Sequence, residues 1–118
     1  MKLHPIKVAE NYTVSGTQRW KACTLFEHAK DLEPFDIPLA ALPIGTETWT
    51  GIRTPLALAE EMRRVLDADL SHPIILNDEG FVMDGWHRVT KALIEGRTVI
   101  SAVRFEKNPD PDYFVTED

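Results

Sequence analysis

Within Asp84-Gly85-Trp86-His87-Arg88, five adjacent positions supply a carboxylate, a glycine, an indole, an imidazole and a guanidinium. The run falls between a strand pattern, Phe81 to Met83, and a helix pattern beginning near Val89. A glycine at a strand-to-helix turn allows close approach to the backbone, and the first N–H groups of a helix have no partner inside it. Beside such donors, His87 and Arg88 make a site for an anion, phosphate above all. The candidate phosphate-binding residues are Gly85, Trp86, His87, Arg88 and Lys91. Lys91 is included because it stands four residues beyond His87 and three beyond Arg88, on a shared helical face. His87 and Asp84 are the candidate catalytic residues, since an imidazole suits proton transfer near neutral pH. Asp84 is also the candidate metal ligand, for a Mg²⁺ that bridges phosphates.

Each of these residues has a plainer use. Gly85 can serve a tight turn, and Arg88 can pair with Asp84 or Glu95 at the surface, an interaction of small worth. Asp84 can cap the helix that follows it, the more frequent role for an aspartate so placed. His87 can be a hydrogen-bonded structural residue, Trp86 can fill core, and Lys91 can be solvated. Arg63, Arg64 and His72 lie on neighbouring elements and can approach the same place.

The elements that must position this run are legible in outline. Ile6, Val8, Tyr12 and Val14 alternate with polar residues up to Ser15-Gly16-Thr17, the pattern of an extended arm ending in a turn. Trp20, Cys23, Leu25, Phe26 and Ala29 approximate a helical face, predicting a short helix between Gln18 and Asp31 with Cys23 part-buried. Phe35 to Leu42 suits an edge strand, because Pro38 has no N–H for a ladder, and Pro43 to Arg53 reads as loop. Thr54 before Pro55 marks a helix start, with Leu58, Met62, Val65 and Leu66 as its apolar stripe. His72 to Leu76, the turn Asn77-Asp78-Glu79-Gly80 and Phe81 to Met83 form a hairpin pattern. Val89, Ala92, Leu93 and Ile94 supply the buried face of the next helix, Gly96 closes it, and Thr98 to Phe105 is a β-branched strand. From Glu106 the chain reads as a mobile acidic tail in which Tyr113, Phe114 and Val115 are able to dock. Strands separated by capped helices predict an α+β fold, a small mixed β-sheet with flanking helices.

Composition narrows the classes of function. At 118 residues the chain fits one domain. The single cysteine, Cys23, excludes an internal disulfide and suggests a reducing, cytoplasmic setting. No signal-peptide pattern opens the sequence, and no apolar run approaches the roughly 18 residues needed to cross a bilayer, so no membrane partner is expected. A net charge of -6 opposes non-specific attachment to nucleic acid.

The series Pro73-Ile74-Ile75-Leu76, Gly80 to Arg88, Lys91-Ala92-Leu93, Gly96 and Ile100 to Val103 resembles the superfamily shared by bacterial-type ParB partition proteins and sulfiredoxins. The resemblance implies a ParB/sulfiredoxin-like domain over residues 35–105, preceded by an extension at 1–34 and followed by a tail at 106–118. It also implies a nucleoside triphosphate or diphosphate, ATP or CTP among them, with phosphates at the glycine turn and Mg²⁺ as the accompanying ion. Sulfiredoxins carry their reacting cysteine where this chain has Trp86, which argues against sulfinic acid reduction. The pattern Asp-Gly-x-His-Arg is nearest to that of a free-serine kinase branch, although no activating carboxylate is evident in the sequence. Little more than a dozen residues follow the final strand, so the helix-turn-helix of a partition protein is not expected. Two readings result: a nucleotide-binding phosphotransferase or hydrolase, or a non-enzymatic, nucleotide-responsive module that binds a protein or DNA partner.

Overall fold

The computed structural model describes residues 12–15, 17–46, 49 and 51–115, with the side chains of 12–15 left aside. The expected arm through Ile6 and Val8, residue Gly16 of the expected turn and the acidic end at Glu117 and Asp118 lie outside the described residues. The fold is α+β. In chain order its elements are β1 (Tyr12–Ser15), β2 (Gln18–Lys21), α1 (Ala22–Ala29), β3 (Phe35–Pro38), a 3-10 turn (Leu39–Ala41) and α2 (Pro55–Asp67). There follow β4 (Ile74–Leu76), β5 (Val82–Asp84), α3 (Trp86–Ile94), β6 (Val99–Arg104) and β7 (Tyr113–Phe114).

A four-stranded mixed sheet in the order β3-β6-β4-β5 forms the centre. β4 runs parallel to β6, while the β3–β6 and β4–β5 pairs are antiparallel. β3 is an edge strand, as the proline predicts, but it ends at Pro38, opposite Val99, and Leu39–Ala41 of the expected strand form the 3-10 turn. The side-chain alternation of β4 and β6 divides the core between two faces. Ile74, Leu76, Ile100 and Ala102 meet Val89 and Ala92 of α3 on one face, together with Leu39 and Leu42. Ile75, Met83, Val103 and Phe105 meet Trp20, Leu25 and Ala29 on the other. α2 packs against α3.

Local signals explain the boundaries around the motif. Thr54 Oγ1 accepts from the Ala57 N–H at 3.1 Å, so threonine caps α2 and Pro55 opens it. Asn77 Oδ1 accepts from the N–H groups of Glu79 and Phe81, each at 2.9 Å, which fixes the hairpin turn. At the end of α3 the Gly96 N–H donates to Leu93 O and the Arg97 N–H to Ala92 O, with Gly96 at φ 74°. That is a Schellman closure, and it requires the left-handed conformation glycine adopts most easily.

Several expectations are corrected. Residues 18–21 are strand rather than helix, because β2 pairs with β1 on one side and with β7 on the other. Cys23 and Phe26 are exposed, since the helix is shorter than its apparent stripe and turns only Ala22, Leu25 and Ala29 inward. On α2, Val65 is buried but Leu58, Met62 and Leu66 are exposed, and on α3 Leu93 and Ile94 are exposed. The tail is ordered by contact with the start of the chain: Trp20 Nε1 donates to Pro109 O at 2.9 Å, and the Asp112 N–H to Arg19 O at 2.8 Å. No helix among the described residues is long and apolar enough to cross a membrane.

Candidate functional site

Gly85 is the joint between β5 and α3. Its φ of 119° lies in the region that side chains rarely adopt, and a Cβ there would stand 2.5 Å from Ile74 Cγ2. Glycine is thus required by both backbone conformation and packing, whatever binds nearby. Gly85 also occupies the cap position of α3, which has no side-chain cap. The expected capping by Asp84 is therefore corrected: its carboxylate sits at the end of β5 and turns instead toward Arg88 Nη1, 3.5 Å away. The first-turn N–H groups of α3 have no acceptor inside the helix and no side chain capping them.

From this joint the motif residues diverge. His87 points to α2, where its Nε2–H donates to Glu61 Oε2 at 2.7 Å. Glu61 Oε1 accepts from Arg64 Nη1, also at 2.7 Å, so one carboxylate holds an imidazole and a guanidinium together. The imidazole stacks on Trp49 with ring centroids 4.9 Å apart. With Nε2 engaged, the neutral tautomer leaves Nδ1 as an acceptor, oriented by a carboxylate on one nitrogen and an aromatic ring on its face. Glu61 and Trp49 are the residues that sequence reasoning missed. Glu61 belongs to a separate element, and its only signal is a position in the helix that precedes the motif.

Arg88 takes the other direction. Besides Asp84 it reaches Pro73 O at 3.4 Å, and both contacts are long for a guanidinium hydrogen bond. Its side chain lines a groove with residues of α1 and the β4 approach. Burial pushes the Asp84 carboxyl above its ordinary value, and the nearby Arg88 and His87 only partly offset this. Burial thus makes Asp84 hold its proton more tightly than a surface aspartate does.

The remaining candidates have defined partners. Trp86 is half-buried and packs against the α3-side core, and its carbonyl accepts from Thr90 Oγ1 at 2.8 Å. Lys91 Nζ donates to Leu66 O at 2.9 Å and Ala68 O at 2.7 Å, where it satisfies carbonyls at the C-terminal end of α2. That places Lys91 on α2 rather than beside His87 and Arg88. His72 is exposed, 3.5 Å from Asp69. Among the described residues no three or more His, Cys, Asp or Glu side chains come together as a metal cage. Asp84 alone offers one carboxylate, so Mg²⁺ there would take its other ligands from phosphate and water.

The arrangement can therefore do two things chemically: offer unsatisfied N–H groups and Arg88 to an anion, and present, on the α2 side of the same helix start, an imidazole oriented by Glu61 and Trp49. In comparisons with protein-family models, with curated proteins and with solved structures, nothing matches this chain.

Proposed function

We propose that the chain is a nucleotide-binding domain of the ParB/sulfiredoxin kind that catalyses phosphoryl transfer or nucleotide hydrolysis. Phosphate oxygens sit at the Gly85 turn and the uncapped first turn of α3, with Arg88 swinging from its long contacts to make a bidentate one. His87 moves the proton of the attacking hydroxyl or water, and Glu61 positions it. Such catalysis needs mainly positioning and charge neutralisation, which these groups supply. Mg²⁺ accompanying the nucleotide would be held on the protein side by Asp84 and would supply neutralisation of phosphate charge. The observation that carries the reading is the 2.7 Å contact between Glu61 and His87, directly after a glycine-led helix start.

The test is a thermal-shift comparison of ATP, ADP, CTP and GTP, with and without Mg²⁺, on wild type and Arg88→Ala, followed by turnover assays. A ligand at a hundred times its Kd adds about 2.7 kcal/mol of stability, which is readily seen. One nucleotide should raise the melting temperature, Arg88→Ala should remove the shift, and His87→Ala should lower turnover by about 10²- to 10⁴-fold. No shift at millimolar nucleotide, or a shift that survives Arg88→Ala, overturns the phosphate site.

A second reading, a nucleotide-responsive module that binds a protein or DNA partner, is favoured by the exposed stripe Leu58, Met62 and Leu66 on α2. Nucleotide binding without turnover would select it.

A further inference from the structure

A groove of about 490 Å³ lies between α1 and the sheet, within the range of small-molecule sites. Phe26, Leu32 and Val103 contribute to its apolar walls, and the side chains of Lys30, His72 and Arg88 line it as well. No carboxylate is among the lining residues, although the chain carries 19 acidic against 13 basic residues. The counter-ions of the three basic groups stand outside the groove: Glu27 beside Lys30, Asp69 beside His72 and Asp84 beside Arg88.

None of these pairings is strong enough to resist a competitor. Lys30 and Glu27 are both well exposed, where ion pairs contribute little. His72 and Asp69 are 3.5 Å apart, and among the described residues the hydrogen bonds of Arg88 are its two long ones, although a guanidinium has five N–H donors. We propose that this groove binds a small carboxylic acid with an apolar aromatic or alkyl body, its carboxylate against Arg88, Lys30 and His72 and its body against Phe26, Leu32 and Val103.

A carboxylate fits better than a phosphate. Pro34 and Pro73 line the groove and have no N–H, so the backbone there offers less of the donor nest that phosphate uses. A planar carboxylate needs only the two parallel donors of one guanidinium edge, with the Lys30 ammonium as a second cation and the His72 imidazole as a further N–H donor. The proposal does not rest on nucleotide binding at the Gly85 turn; the two share Arg88 alone.

The experiment is calorimetric titration of the whole chain with 1-naphthylacetate and with decanoate. The neutral alcohols of the same bodies and inorganic phosphate serve as comparisons. At least one acid should bind with 1:1 stoichiometry, its alcohol at least tenfold more weakly, and phosphate alone not measurably. Lys30→Glu and Phe26→Asp, both at exposed positions, should each weaken the acid at least tenfold while leaving the unliganded melting temperature close to that of wild type. Lys30→Glu should leave any nucleotide-induced thermal shift unchanged, so failure of the groove and failure of the turn site are read separately. Absence of binding by both acids at millimolar concentration overturns the proposal. So does equal binding of acid and alcohol, binding of phosphate as tight as that of the acid, or indifference to both substitutions.

Discussion

On one face of the central sheet, α1 and β2 bring Trp20, Leu25 and Ala29 onto Ile75, Met83 and Val103, all of them buried. On the other side of the molecule, α2 carries Leu58, Met62 and Leu66 at helical spacing and leaves all three open to solvent. The better-formed stripe is thus the less covered one. α2 is attached through Val65, through the Glu61 to His87 contact, and through Lys91, which donates to its terminal carbonyls. Apolar periodicity reports that a helix is two-sided, but whether its apolar side meets the core depends on what the topology places there. α1 is held by burial and α2 largely by polar side chains, and the candidate proton-transfer residue sits on the polar link.

That contrast can be broken experimentally. Trp20→Ala should have the largest effect, about 3 to 5 kcal/mol in denaturant unfolding, because a side chain only 1% exposed is removed together with its bond to Pro109. A loss under 1 kcal/mol would mean that the α1 face is not core. Gly85→Ala should cost about 3 kcal/mol, from backbone strain plus the close approach to Ile74. Gly96→Ala, with open space around its Cβ, should cost only about 1 kcal/mol. Equal losses at the two glycines would remove the packing argument at the joint.

Glu61→Gln should cost about 1 to 2 kcal/mol, because Arg64 and His87 lose their shared charge partner. It should also change the pH profile of any turnover, which a purely structural link between helices would not do. Asp84→Asn tests the cost of the buried carboxyl. The folded protein holds the Asp84 proton more tightly than the unfolded chain, so wild type loses stability as pH rises from the usual value of 3.8 through the raised one. The variant should therefore be the more stable at pH 7, with the gap closing below 3.8. A variant less stable at pH 7 would show that attraction to Arg88 outweighs burial. The smallest effects belong to Leu58→Ala and Leu66→Ala, each within about 0.5 kcal/mol in the isolated chain. Larger losses would mean that something covers the α2 stripe in solution.

What could be read from the sequence follows the range of the forces involved. The Thr54-Pro55 start, the Asn77 to Gly80 turn and the Gly96 stop are decided within a few residues, and each is where its side-chain chemistry puts it. The spacing of Trp20 and Cys23 extends the helical pattern back over Gln18 to Lys21, which the structure makes a strand. That strand state comes from pairing on both sides, with the neighbouring β1 and with Tyr113 and Phe114 far along the chain. The candidate site divides in the same way. Its glycine joint is local, whereas the Glu61 to His87 contact spans 26 residues and depends on how α2 packs against α3. The motif also hides a geometric fact: adjacent residues on a helix point about 100° apart, so His87 and Arg88 serve different surroundings.

The carboxylate of Asp112 accepts from the Lys21 N–H at 2.7 Å and from Thr24 Oγ1 at 2.8 Å, supplying to the start of α1 a cap that the local sequence lacks. The two ends of that bond are 91 residues apart. During folding, the first turn of α1 stays incomplete until a segment about 90 residues further along the chain has docked on it. The hairpin, α3 and β6 can assemble before then from contacts that are short in sequence. The clasp between β2 and residues 109–114 is then expected to close last, so that β2 and α1 become resistant to proteases only once it has formed.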